Sequence, residues 1–310
     1  MKPTTKKLIS ISVLILIVII FIYYIISHIS DFKQLSLVNP LYIIPLIIIS
    51  LIVSITNGLI IKYLLEPFKI KMKFKEWFGL SIITTFYNII LPLRAGMATR
   101  AVYLKEKHNF PYTNFISTLA GVYVINFLVA SLFGLISLII LYLTKGIFNL
   151  IILLIFLGFF LPLLTIILFS PIFPETKNNF INKFIKVMNG WHIIRKNRKI
   201  VFFTSLVILT QIVLSSVGTI IAYNIFNINI DIISSLFLNS IGFLSVIISI
   251  TPGSLGITEI VSVFSALIIG ITPAQSLSVA ILNRVISILI IFILGPIYSY
   301  ILLKHKPKSL

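Results

Sequence analysis

The chain contains no cysteine and only seven acidic residues among 310. Without a thiol it forms no disulfide and offers no thiolate for catalysis. Charge of either sign is scarce. Asp, Glu, Lys and Arg make up 10% of the residues, against about 25% in soluble domains. That scarcity excludes a soluble enzyme, a disordered chain and a secreted disulfide scaffold. Motifs are missing as well. There is no H-E-x-x-H zinc site, no phosphate-binding G-x-x-x-x-G-K-[ST] loop and no G-x-S-x-G elbow, since Gly253-Ser254-Leu255-Gly256 has the wrong spacing. All four histidines, His28, His108, His192 and His305, fall in expected loops or near helix ends. No cluster of carboxylates is placed to hold a metal within apolar sequence. Neither a catalytic centre nor a cofactor is implied.

Hydrophobic residues fill the space, at 59% of the chain. This describes an all-α polytopic membrane protein with little mass outside the bilayer. The net charge is +18. Most basic residues lie in short clusters between apolar runs. That is how a membrane protein marks its cytoplasmic side, and it argues against nucleic acid as the partner. The N-terminus carries Lys2, Lys6 and Lys7 before an apolar run from Leu8 to Ile26. The run is longer than a signal-peptide core and has no small-residue cleavage site, so it reads as an uncleaved first span.

Six stretches are long enough to cross about 30 Å of hydrocarbon: 8–27, 41–61, 113–143, 147–170, 200–225 and 273–303. Two others are interrupted. Trp77 to Leu93 ends in Pro92-Leu93-Arg94-Ala95-Gly96, and Ile232 to Ile250 runs into Thr251-Pro252-Gly253-Ser254-Leu255-Gly256. Proline and glycine at such density break a helix. Charge decides the path of the first. Lys62, Lys69, Lys71, Lys73 and Lys75 precede it, and Arg100, Lys105 and Lys107 follow. Both flanks are basic, so 77–107 reads as a hairpin that enters from the cytoplasm and returns. Loop 171–199, with seven Lys and Arg, is expected inside, and Lys145 and Asp231 outside. Segment 232–271 then starts and ends outside, as a hairpin or as two thin spans. Both termini are expected in the cytoplasm, with the cell membrane as the location. Within 171–199, Phe180, Ile181, Phe184, Ile185 and Met188 recur at helical spacing among lysines, with Trp191 after them. This reads as an interfacial helix on an anionic leaflet.

The halves correspond. Pro92-x-x-x-Gly96 and Pro252-x-x-x-Gly256 stand 160 residues apart, and the same shift carries 41–61 onto 201–221 and 113–143 onto 273–303. Each half, 1–145 and 146–310, reads as three spans and a broken re-entrant hairpin. The odd number of crossings makes the second an inverted repeat of the first. Broken helices in corresponding positions mark a midplane binding site in many transporters. The simpler alternative is two coincident Pro/Gly breaks.

Four ionisable residues lie at depth: Arg94, Arg100, Glu259 and Arg284. Each costs at least about 2.5–3.5 kcal/mol at the centre of a membrane helix, so each is a functional candidate. Arg94 sits at the tip of the first break. Arg100 sits near the start of the returning half-helix, where backbone N–H groups and the dipole favour anions such as phosphate. Its alternative is to reach the cytoplasmic surface with Lys105 and Lys107. Glu259 lies in the first turn of the second half-helix, as a cap or as the partner of Arg284, whose polar neighbour is Asn283. Asn88, Thr99, Tyr123, Asn126, Asn239, Ser254 and Thr258 thicken the zone.

At the two breaks the chain resembles the lysylphosphatidylglycerol synthase/flippase transmembrane family. The residues are Asn88-x-x-x-Pro92-x-Arg94-x-Gly96 with Arg100-Ala101, and Pro252-Gly253-Ser254-Leu255-Gly256-x-x-Glu259 followed by Arg284. The resemblance covers roughly residues 8–303. It departs where the family usually has an acid after the first-motif glycine, here Met97, and a base before the glutamate, here Thr258. Tyr123 and Asn126 stand where an Arg and an Asp are frequent. The resemblance implies a stand-alone flippase-like domain, without the soluble synthase domain. Such a domain would move a polar, anionic lipid or lipid-linked precursor between leaflets. Arg94, Arg100 and Arg284 would hold the head group, supported by Asn88, Ser254, Asn283 and Glu259. Two other classes remain alongside it. One is a membrane-embedded transferase acting on a lipid-linked substrate. The other is a non-catalytic accessory subunit of a lipid or glycan biosynthesis enzyme.

Overall fold

The computed structural model describes residues 40–303 apart from 92–93, 170–171, 175, 177–178 and 249–250, with four isolated positions before residue 40. The expected first span at 8–27, Lys33, both termini and Pro92 of the first break therefore lie outside the described residues, those isolated positions aside. Ten α-helices make up the described core: α1 (Ile43–Leu65), α2 (Phe74–Ile90), α3 (Ala95–His108), α4 (Tyr112–Lys145), α5 (Leu150–Phe169), α6 (Asn179–Lys196), α7 (Arg198–Ile225), α8 (Ile232–Ser245), α9 (Ile257–Ile268) and α10 (Pro273–Leu303). Helices α1, α4, α5, α7 and α10 are long and apolar enough to cross a membrane. They match five of the six expected spans. Their outward faces carry large exposed apolar side chains, among them Leu154, Leu289 and Ile293.

Helix ends follow local chemistry. The Asp231 carboxylate accepts from the Ser234 backbone N–H and caps α8, and Asn197 does the same for α7 through Ile200. Helix α4 ends at Gly146, whose φ of 68° closes the helix in a left-handed turn.

Helix α2 starts earlier than the charge pattern suggests. Glu76 is folded into it and buried. Tyr103 and His108, on α3, engage the same Glu76 carboxylate oxygen at 3.0 and 2.6 Å. The hairpin α2–α3 is thus closed at its base and begins and ends at one end of the bundle. Phe68 and Phe110 meet edge to face beside it, with ring centroids 5.4 Å apart. At the other end, Lys145 at the close of α4 forms an ion pair with Asp231 at the start of α8. Ile225 and Ile271 share one buried cluster, so α8–α9 also begins and ends at a single end, opposite to the first hairpin.

Lengths complete the picture. Helix α4, of 34 residues, runs about 51 Å. Helices α8 and α9, of 14 and 12 residues, run only about 21 and 18 Å. Neither crosses about 30 Å of hydrocarbon, so 232–271 is a hairpin and not two thin spans. The hairpins enter from opposite ends and their tips touch. Arg94, at the start of α3, donates to the Val246 carbonyl just past α8. The turn at Pro252–Ser254 rests on α2, where a Cβ on Gly253 would meet the Ile89 backbone at 3.3 Å.

Packing joins segments that are distant in the sequence. Helix α2 lies on α10 and α8 lies on α4, so each hairpin packs on a long helix. Helix α1 lies on α7. Glycines allow the close approach. A Cβ on Gly295 would stand 2.4 Å from the Phe86 ring, and one on Gly79 would stand 2.6 Å from Tyr298.

Two outcomes follow. Partial burial pushes the Asp231 carboxyl up, but hydrogen bonds from Lys145 and Ser234 outweigh it and hold the group at about 2. A depressed carboxylate stabilises the fold above its unfolded value and loses that contribution as pH falls. The tie between α4 and α8 should therefore weaken between about pH 4 and pH 2. Asp231→Asn should flatten that part of a thermal-stability profile. The pair is exposed, so the effect should stay within about 1 kcal/mol. Secondly, in this cysteine-free chain, an impermeant thiol reagent applied to intact cells should label Phe148→Cys and spare Lys71→Cys. The reverse pattern would invert the topology.

Candidate functional site

A cavity of about 380 Å³ lies where the tips meet. Arg94, Arg100, Arg284, Asn88 and Ser254 all line it, contributed by both hairpins and by α10. Five of the seven residues expected from sequence therefore face one space. Glu259 and Asn283 do not. Glu259 is buried behind the second break, and Asn283 lines two smaller cavities that extend between α1, α7, α8 and α10.

The first break is built around two residues. Arg94 adopts φ 56°, ψ 42°, a left-handed conformation that costs a non-glycine residue roughly 1–2 kcal/mol. Its guanidinium offsets that cost. One nitrogen donates to the Tyr123 hydroxyl at 2.8 Å and the other to the Val246 carbonyl. Two residues on, Gly96 brings α3 against α2. A Cβ there would lie 1.9 Å from the Thr84 carbonyl oxygen, a contact that no side-chain rotation relieves.

Arg100 is 7% exposed. It does not reach the surface with Lys105 and Lys107, so the alternative of a surface-seeking arginine does not hold. Its described contacts are the Met97 sulfur at 3.3 Å and the Phe115 ring, 5.3 Å from guanidinium carbon to centroid. Sulfur is a weak acceptor, and a ring face supplies about 0.5–2 kcal/mol. Among the described residues no carboxylate forms an ion pair with Arg100 or Arg94. The cavity thus carries two guanidinium groups without a counter-charge. The Oδ1 atoms of Asn88 and Asn126, which also line it, are buried without a donor.

The second break uses its charges differently. Arg284 donates through Nε to Glu259 Oε1 at 2.9 Å and through Nη2 to the same oxygen at 2.8 Å. It also donates to the Gly253 carbonyl at 2.8 Å and to the Thr258 hydroxyl at 2.5 Å. Glu259 Oε2 accepts from the Gly256 N–H at 2.7 Å. The pair foreseen from sequence is present, and most of the Arg284 donors are committed to holding the break. Thr258 supplies a hydroxyl to this network.

Sequence reasoning passed over several residues. Asn57 and Gln211, joined at 3.0 Å between α1 and α7, line the cavity. Each is a lone amide in an apolar span, a signal available in the sequence. Met97 lines the cavity too. Glu76 is a second buried carboxylate, but it closes the hairpin base and does not line the cavity.

Gly96→Ala should lower thermal stability by about 1–3 kcal/mol or prevent folding, because the clash is with backbone. A melting curve of detergent-purified protein tests this, and an unchanged curve would refute the close approach of α2 and α3.

Comparison with known proteins gives one match. A family profile described as "Lysylphosphatidylglycerol synthase TM region" matches residues 7–295. Neither a curated protein nor a solved structure matches the chain. The profile spans both hairpins, the cavity between them, four of the five long apolar helices in full and α10 as far as Gly295. The chain is a membrane protein and belongs to the lysylphosphatidylglycerol synthase transmembrane-region family.

Proposed function

We propose that the protein is a flippase-like transporter that moves an anionic polar lipid, or a lipid-linked precursor, between the leaflets of the cell membrane. Family membership points to a lipid-related membrane domain. The observation that carries the finer reading is the pair Arg94 and Arg100, which line the cavity without a carboxylate. A buried unpaired cation is costly and persists where a ligand supplies the missing charge. A phosphodiester accepts hydrogen bonds from both guanidinium groups. The donor-free oxygens of Asn88 and Asn126 suit a hydroxyl or ammonium group on the same head. Met97 has a part in this. An acid at that position would neutralise Arg100 from within the protein. The thioether leaves that charge to the ligand.

Arg284 and Glu259 have the supporting role of keeping the second tip in place. Movement of the head group between leaflets requires the tips to part. The Arg94 bond to Val246 is the contact that would open. The inverted-repeat reading supplies the symmetry for that motion, with the first hairpin and both termini on the cytoplasmic side. We assign no bond-making chemistry to the cavity.

Purified protein in liposomes should move fluorescent phosphatidylglycerol faster than phosphatidylcholine. Arg100→Gln should reduce that rate by about ten- to a hundredfold, the loss expected when a charge-assisted hydrogen bond of about 1.5–3 kcal/mol is removed. Met97→Glu should do the same without removing the arginine. Arg284→Ala should instead lower folded yield. Equal movement of both lipids, untouched by Arg100→Gln and Met97→Glu in folded protein, would reject the proposal.

A further inference from the structure

A second cavity, of about 650 Å³, lies where α5 ends, α6 ends and α7 begins. Its polar wall consists of His192, Arg195, Lys196 and Arg198, with Trp191 beside them, and its apolar wall is Ile167, Val201 and Phe202. No carboxylate lines it. Three fixed positive charges therefore share one concave surface. Arg195 and Lys196 complement the end of α6, and Arg195 also donates to the Leu168 carbonyl at the end of α5. Arg198 instead stands in the first turn of α7, where the helix dipole disfavours a cation. Local backbone does not account for Arg198. An anion in the cavity would.

Two buried donors or acceptors sharpen the point. Trp191 is 3% exposed, yet its indole N–H has no acceptor, and the buried Nδ1 of the adjacent His192 has no partner either. A buried indole N–H without a partner is uncommon, because Trp normally satisfies it. The surroundings are strongly apolar. Phe202, on the cavity wall, is 64% exposed, and at the end of α5 Phe169 is 74% and Leu168 56% exposed. Cations above an exposed greasy surface suit a ligand with an anionic head and hydrocarbon tails. A free phosphate would make no use of that surface.

We infer that this elbow is a binding site for one anionic phospholipid, separate from the central cavity. Its phosphate lies among Arg195, Lys196 and Arg198, and its acyl chains lie along α5 and α7. This goes further than the peripheral anchoring expected from sequence, because it specifies a lined pocket and a stoichiometry. The site has a structural route to the rest of the protein. Helix α6 packs closely on α4, where a Cβ on Gly190 would stand 2.1 Å from the Ser117 hydroxyl and the Trp191 ring lies 3.5 Å from a Cβ built on Gly121.

Tryptophan fluorescence tests the inference, since Trp77 and Trp191 are the only two tryptophans. Full-length protein is placed in bilayers of phosphatidylcholine and titrated with acyl-brominated phosphatidylglycerol or, separately, acyl-brominated phosphatidylcholine. The fraction of emission lost in Trp191→Phe assigns the signal. Quenching of Trp191 should reach half at a mole fraction of phosphatidylglycerol at least fivefold lower than that of phosphatidylcholine. Arg195→Gln with Arg198→Gln should remove that difference while the melting temperature and the Trp77 emission stay unchanged. Equal quenching by the two lipids would overturn the site. So would a preference that survives the double substitution. Relief of quenching by millimolar inorganic phosphate, at constant ionic strength, would assign the pocket to a soluble phosphate and overturn the lipid reading. Transport through the central cavity is measured separately, so its failure and the failure of this site are distinguishable.

Discussion

A helix broken inside a hydrocarbon layer frees backbone groups that water cannot reach, and those groups must be satisfied by protein. This protein breaks two helices and answers the constraint with charged side chains. Arg284 takes the Gly253 carbonyl, Glu259 takes the Gly256 N–H and Arg94 takes the Val246 carbonyl. Thr251 donates to the Leu255 carbonyl at 2.8 Å. Each ion at depth is expensive alone. Bound to a broken backbone, it removes a second expense together with its own. The rest of the architecture depends on this arrangement, because the tips can meet in the interior only if their polar groups are already paired.

The two breaks are not equivalent. In the second, the cation and the anion neutralise one another and cap a helix. In the first, Arg94 is held by a hydroxyl and a carbonyl, and Arg100 by a sulfur and an aromatic ring. None of these partners carries charge. The asymmetry leaves a positive potential on one side of a cavity that the other break keeps in shape. Met97 and Tyr123 hold the geometry of the break without adding a charge that would balance the arginines.

The second cluster of cations, at the α5–α6–α7 elbow, differs in kind. Its residues lie at the edge of the apolar belt, where water and lipid head groups compete for them, so each is cheaper to place than Arg100. What makes the elbow informative is concavity together with an indole N–H that lacks an acceptor. A merely solvated basic face needs neither. Helix α6 thus ties a surface exposed to lipid to α4, the helix that carries Tyr123 into the central cavity.

Long apolar runs, few acids and basic clusters were legible one residue at a time, because hydrophobic transfer and sidedness are nearly local properties. They determined the five described spans, the position of both breaks and the ends at which each hairpin starts. The Pro/Gly motifs and the 160-residue spacing also located Arg94, Arg284 and Glu259. Only the tertiary structure decided what those residues touch. It showed that the tips meet, that Arg100 turns inward and that Arg284 is occupied by the break. It placed Glu76 inside the base of the hairpin, one residue before the start expected at 77. It also brought Asn57 and Gln211, 154 residues apart, to one cavity wall. Burial and partnership of this kind are set by helix–helix packing between distant segments. A chain read in order shows the cost of an ion at depth and leaves its partner to the fold.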